Sequence, residues 1–265
     1  MTAISADGLV KTYGELRALD GLSVSVERGE CYGFLGPNGA GKTTTIRVLT
    51  GQTTPDDGSA SVLGVDPAAE PVEVRRRVGV LPEQESPPSF LTPREYFGFV
   101  GRVRGLDDDA VESRAAEWAE RLGFTGKLDT LHTDLSRGQQ QKVMLTQAFL
   151  HEPALVVIDE PLANLDPIVQ ETVKSALVEY ADAGNAVFVS THNIEVAADV
   201  CDRVGIVADG RVVAERSAAD EAFTADSLLD VFLDRVGAAD ARDVPDLGGA
   251  GAERTAAGGD RGGDR

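Results

Sequence analysis

The chain has 265 residues, 42% of them hydrophobic, which is enough for one full α/β domain with appendages and tight for two domains of ordinary size. Its 44 acidic residues outnumber 25 basic ones, only five of them lysines, for a formal charge of −19. That balance argues against a nucleic-acid partner, which needs a basic patch, and suits solubility in high salt. No apolar run approaches the roughly 20 residues of a membrane helix, and Asp7 interrupts any N-terminal leader, so a cytoplasmic protein is expected.

Residues 2–13 and 17–30 carry alternating or short apolar runs separated by Gly14 and Gly21, and read as strands. Tyr13 ends the first of them; on position alone it is either a stacking surface for a base or an ordinary edge-strand aromatic. Next comes Cys31–Leu35, an apolar run suited to a buried strand, then Gly36-Pro37-Asn38-Gly39-Ala40-Gly41-Lys42-Thr43 with Thr44 and Thr45, then a helical composition over Thr44–Gly51. This is a phosphate-binding P-loop in the strand-to-helix context that the motif requires. Its glycines let the backbone wrap a phosphate with N–H groups turned inward, the helix N-terminus adds positive potential, and Lys42 supplies a point charge. Thr43 offers a hydroxyl to Mg²⁺.

A Pro/Asp/Gly turn over Thr53–Gly58 precedes a short strand, Ser59–Leu63; Pro71–Arg77 is helical, with Arg75 to Arg77 as a solvated end, and Val78–Leu81 is a strand. Pro82-Glu83-Gln84 and a proline-rich loop lead to Pro93. From Arg94 to Leu150 the strand signal vanishes: Tyr96, Phe97, Val100 and Val103, then Val111, Ala115, Trp118 and Leu122, fall at helical spacing, so a helical insertion of about residues 94–150 is expected. It closes on Leu135-Ser136-Arg137-Gly138-Gln139, with Ser136 as N-cap of a further helix. The α/β pattern returns with a strand Leu155–Ile158 ending in Asp159-Glu160, a helix Pro167–Tyr180, a strand Ala186–Val189 ending in Ser190-Thr191-His192, a short helix Ile194–Ala198, and a hairpin around Asp209-Gly210. Strands alternating with helices imply a parallel sheet with ligands at its carboxyl edge. Leu228–Val236 is a last helix, and 237–265, rich in Ala, Gly, Asp and Arg, lacks periodicity and is expected to be a disordered tail. Cys31 and Cys201 lie in or beside apolar segments without metal-ligand spacing and are expected as buried free thiols.

A buried strand delivering Asp159 and Glu160 near a P-loop places one carboxylate for Mg²⁺ and a second to polarise an attacking water. With those two elements the chain resembles the nucleotide-binding subunits of ABC transporters over about residues 4–216: Gly36–Thr44 as Walker A, Leu155–Glu160 as Walker B, Leu135–Gln139 as the signature, Ala163–Asp166 as the D-loop and His192 as the switch histidine. The resemblance implies an α/β P-loop NTPase core with a parallel sheet, an N-terminal antiparallel β-subdomain and a helical signature subdomain, together an ATP-binding domain over 1–236. It implies ATP and Mg²⁺ as ligands, with Gly36 to Thr44 on the phosphates and Tyr13 on adenine. Thr43, Asp159 and either Gln84 (by chemistry) or Glu83 (by spacing) would face Mg²⁺. Glu160 and His192 would be catalytic, and Asp166 would tie one site to the other. Ser136, Arg137, Gly138 and Gln139 would reach the nucleotide of a second subunit, identical or paired, in a head-to-tail dimer; Arg137 stands where a glycine is commonest. The partner implied is an integral membrane permease, coupled through the loop Glu85–Pro93 and holding the chain on the inner face of the membrane. Phe34–Thr45, Leu91–Tyr96 and the lack of a regulatory domain look like the exporter type. The alternative is a soluble ABC ATPase acting on protein or nucleic-acid machinery without a permease.

Overall fold

Two sheets and a layer of helices meet around the P-loop. In the computed structural model, residues 1–82, 86–220 and 223–240 are described. Glu83 and Gln84, the alternatives for Mg²⁺, therefore lie outside the described residues, as does the expected tail beyond Asp240. β1 (Thr2–Tyr13), β2 (Leu16–Glu27) and β4 (Asp57–Val62) form an antiparallel sheet in the order β2-β1-β4. Alternation buries one face of it, with Ile4, Leu9, Leu22, Val24 and Val26 turned inward.

The second sheet has six strands. β3 (Cys31–Leu35), β5 (Val78–Leu81), β6 (Leu155–Asp159), β7 (Ala186–Thr191), β8 (Arg203–Ala208) and β9 (Arg211–Ser217) run in the order β5-β6-β7-β3-β8-β9, all parallel but for β9, which folds back on β8. β3, β6 and β7 are buried at every residue, as parallel strands covered on both faces must be. One face of this sheet, with Tyr32, Phe34 and Phe188, packs on the antiparallel sheet; the other, with Leu35, Ile158 and Val189, packs on helices.

Of the helices, α1 (Lys42–Leu49) and α2 (Pro71–Arg77) bury Ile46, Leu49 and Val74 on the side of the antiparallel sheet, while α3 (Pro93–Arg104), α4 (Asp108–Arg121), α5 (Arg137–Phe149), α6 (Pro167–Asp182), α7 (Ile194–Val200) and α8 (Ala225–Asp240) cover the other face. The insertion is helical among the described residues: α3, α4 and α5, joined by two 3-10 turns, pack through Phe97, Val111 and Met144. Their starts are set by caps, Thr92 with Glu95, Asp107, and Ser136 with Gln139. α1 begins at Lys42, two residues ahead of the expected start, because Gly41 takes the N-cap position in the left-handed region at φ 103°. The expected strand Ser59–Leu63 runs over Asp57–Val62 instead, since Leu63 leaves the strand region with φ 51°. α8 outruns Leu228–Val236 at both ends and so extends four residues past the expected domain limit at 236; Ala238 and Ala239 sustain a helix without adding to the apolar period. Arg75 to Arg77 are exposed, as expected of a solvated helix end, and Arg75 also donates to the carbonyls of Thr50 (3.3 Å) and Gly51 (2.8 Å) at the end of α1. Cys31 and Cys201 are buried and free, with their sulfurs 3.8 Å apart.

Candidate nucleotide site

β6, β7 and β3 are neighbours in the parallel sheet, so the residues that follow them converge at one edge. After β3 the chain turns through the P-loop. A Cβ on Gly36 would stand 2.5 Å from the Val207 carbonyl, and one on Gly41 2.6 Å from that of Ala18, so the loop is pressed against β8 and β2 with no room for side chains. Gly210, in the β8–β9 turn, fastens it: its N–H donates to Ala40 O (3.1 Å), and its carbonyl accepts from Asp20 N (3.0 Å). Lys42 is buried, with Nζ donating to the carbonyls of Gly36 (2.7 Å) and Pro37 (3.0 Å). The ammonium is thus held over the concavity of the loop.

Thr43 Oγ1 donates to Asp159 Oδ2 at 3.3 Å, joining the first turn of α1 to the end of β6. A hydroxyl and a buried carboxylate side by side are hard oxygen ligands of the kind Mg²⁺ takes one or two of, the remainder being waters and phosphate oxygens. These residues fit the ion. Among the described residues no cluster of three or more His, Cys, Asp or Glu offers a metal cage, which Mg²⁺ does not need.

Glu160 adopts φ 53°, a strained value for a non-glycine residue. The turn is pinned by its N–H to Ser190 O (2.9 Å). Its carboxylate accepts three hydrogen bonds: from Thr191 Oγ1 (3.0 Å) at Oε2, and from the backbone N–H (2.9 Å) and ring Nδ1 (2.6 Å) of His192 at Oε1. Because a carboxylate only accepts, Nδ1 carries the proton. The Glu160 side chain is 13% exposed and that of His192 65%, so the carboxylate is enclosed while its imidazole partner faces solvent.

One cavity of about 570 Å³ gathers these side chains except Thr191 and His192, which stand outside its walls. Lys42, Thr43, Asp159 and Glu160 make its polar end, while Tyr13 and Leu16, opposed across the β1–β2 hairpin, make the apolar end. Gly36 and Ala40 stand behind it as backbone. Ser136, Arg137, Gly138, Gln139 and Asp166 do not join this cavity; they line a separate recess of about 510 Å³ between α5 and the turn before α6. There a Cβ on Gly138 would lie 2.7 Å from Asn164 O. Ser136 caps α5 with Gln139, and Asp166 caps α6 by accepting from Val169 N at 3.1 Å. Sequence reasoning missed Leu16, Thr191 and Gly210. Thr191 carried a signal in its place between β7 and His192, whereas Gly210 is recognisable only once β9 folds beside β2.

A family model described as "ABC transporter" matches residues 19–163. The daunorubicin/doxorubicin resistance ATP-binding protein DrrA of Streptomyces peucetius is 38% identical over 213 residues, covering 80% of this chain and 64% of that protein. Nod factor export ATP-binding protein I of Rhizobium etli is 35% identical over 215 residues, 81% of this chain and 68% of its own length. The chain thus spans about two thirds of these relatives. Among solved structures, an ATP-binding subunit of an ABC transporter superposes with a TM-score of 0.78 at 30% identity over 88% of this chain and 94% of its own. A dimeric ATP-binding cassette in a post-hydrolysis state bound to ADP and Pi shares the fold, with a TM-score of 0.76 at 24% identity over 82% and 99% of the two chains.

Proposed function

Since this chain belongs to the ABC transporter family, we propose that it is the ATP-binding and ATP-hydrolysing subunit of an exporter whose membrane permease is a separate chain. The observation that carries the reading is the convergence of the P-loop, Asp159 and the Glu160–His192 pair at the carboxyl ends of three adjacent parallel strands. No helix of the described residues is long and apolar enough to cross a membrane. Export as the direction follows from the DrrA and Nod factor export relatives.

Tyr13 would stack on adenine, with Leu16 beside it, and the P-loop amides with Lys42 would hold the phosphates. Lys42 would exchange its two carbonyl partners for phosphate oxygens. Thr43 and Asp159 would hold Mg²⁺, which when bound neutralises charge on the outer phosphates. Glu160 would orient the attacking water and draw its proton. Two of the three hydrogen bonds to its carboxylate come from His192 at Oε1, and His192 would give up the one from its ring, turning the exposed ring toward the γ-phosphate. Ser136 and the Gly138 amide, at the N-terminus of α5, would meet the γ-phosphate held by a second copy, or by a paired subunit, packed head to tail. Asp166 would lie at the same contact.

The test is Glu160→Gln, which keeps the shape of the site and removes the base. The variant is expected to accumulate an ATP-dependent dimer by light scattering while phosphate release falls at least about a hundredfold. A variant that stays monomeric in ATP and hydrolyses at the wild-type rate refutes the mechanism.

A further inference from the structure

A buried histidine lines neither recess. His132, 1% exposed, sits in the 3-10 turn His132–Asp134 that leads into α5. Its Nδ1 is 2.9 Å from the Pro88 carbonyl and, facing an acceptor, carries the proton; its backbone N–H donates to Leu91 O at 3.1 Å. The Tyr96 ring of α3 meets the imidazole edge-on with centroids 5.8 Å apart. On the other side Gln140 of α5 donates through Nε2 to His132 O (2.9 Å) and Leu135 O (3.3 Å), one residue after the Gln139 that closes the cap on Ser136. Burial pushes the His132 pKa below the usual histidine range, which favours the neutral ring that this geometry needs. Nε2 is buried and has no hydrogen-bond partner among the described residues, so the Nδ1 edge makes the ring's hydrogen bond.

A histidine that only filled space would be replaceable by an apolar ring. This one holds a carbonyl of a segment, residues 86–92, that belongs to no helix or strand, and its own carbonyl is held by the helix that presents Ser136 and Gly138. We propose that His132 is a positioning residue, a clamp through which displacement of residues 86–92 and displacement of the α5 N-terminus are coupled. The inference rests on the proposed function, in which the α5 N-terminus meets a second copy's ATP, and on the expected contact of the loop Glu85–Pro93 with the membrane permease. Through the clamp, engagement at Ser136 and Gly138 is felt at residues 86–92, and a partner pressing there is felt at the nucleotide.

Hydrogen exchange on the full-length Glu160→Gln chain, with and without Mg·ATP, reads this directly. Two variants separate the edges of the ring: His132→Asn places an amide donor where Nδ1 stands, whereas His132→Gln places it near Nε2. In the parent and in His132→Asn, ATP should protect residues 136–140 and 89–92 together. In His132→Gln the protection at 136–140 should persist while that at 89–92 falls at least about threefold. Equal protection of 89–92 in His132→Gln, or His132→Asn behaving like His132→Gln, overturns the clamp alone. No response to ATP at 136–140 in the parent overturns the two-copy site and the clamp with it. Should His132→Gln fail to fold, Gln140→Leu severs the same linkage from the α5 side and must give the same uncoupling, or the clamp is wrong.

Discussion

Thr191→Val isolates what holds the proposed base in place. The Thr191 hydroxyl is buried between two groups, donating to Glu160 Oε2 at 3.0 Å and accepting from Asn193 N at 3.0 Å. Valine keeps the β-branched shape that a central strand favours and removes only the hydroxyl. Losing a hydrogen bond to a charged group costs about 1.5–3 kcal/mol. At about 2–4 °C per kcal/mol for a domain near this size, Tm should fall by about 3–12 °C. For turnover, the lost bond is the one of Glu160's three that holds Oε2, so it and the His192 backbone N–H are the restraints that remain once the His192 ring swings away. If about 1.4–2.8 kcal/mol of that restraint acts in the transition state, kcat falls about 10- to 100-fold. Thr191 does not line the nucleotide cavity, and KM for ATP should stay the same. Phosphate release at saturating Mg·ATP, together with a thermal melt, gives both numbers. A lowered Tm with kcat within about twofold of wild type would show that Thr191 does not position the base.

Tyr13→Ala should raise KM for ATP about 5- to 30-fold, from about 1–2 kcal/mol of lost stacking, while Tyr13→Phe leaves it unchanged; steady-state kinetics in which alanine matches wild type would remove adenine from this wall. Gly138→Ala puts a Cβ 2.7 Å from Asn164 O and must shift the α5 N-terminus. Nucleotide binding by the monomer should survive, measured by calorimetry, while ATP-driven dimerisation of the Glu160→Gln chain weakens at least about tenfold; undiminished dimerisation speaks against α5 as the second half of the site. His151, whose ring nitrogens are buried, has its pKa lowered to about 4, first by burial and then by the nearby Arg104 and Arg114 guanidinium groups. The unfolded chain takes up that proton near 6.5 and the folded chain only near 4, so between those values the unfolded state binds more protons. Stability should therefore drop as pH falls from 7 to 4, and His151→Phe should flatten that part of a denaturation-versus-pH profile.

Local chemistry made much of this fold legible. Cys31–Leu35 and Val78–Leu81 begin and end where their apolar runs do, and Ser136 caps α5 as its side chain and the Gln139 three residues on require. Turns that depend on tertiary contacts were not legible. Gly41 starts α1 early because the loop is squeezed against Ala18, 23 residues away in the chain, and nothing in the local composition around Thr44 reports that. The nucleotide cavity was legible in its polar half, where motif and chemistry coincide, and less so in its apolar half. Leu16 becomes a wall only through its register opposite Tyr13. Arg75 is the solvated charge it reads as, but its two carbonyl partners around the end of α1, 25 and 24 residues away, were not legible. His132 has no motif at all; its partners Pro88, Leu91 and Gln140 are brought to it by the packing of the helical insertion.

The two hydrogen bonds of Gly210 have a thermodynamic consequence. They join the phosphate loop, through Ala40, to the strand that carries the apolar wall, through Asp20, so both halves of the cavity are fixed relative to each other as soon as the sheets form. The conformational entropy of bringing them together is lost during folding and not again when a nucleotide arrives. Nucleotide entry is then a fit into a standing cleft, with a small change in heat capacity.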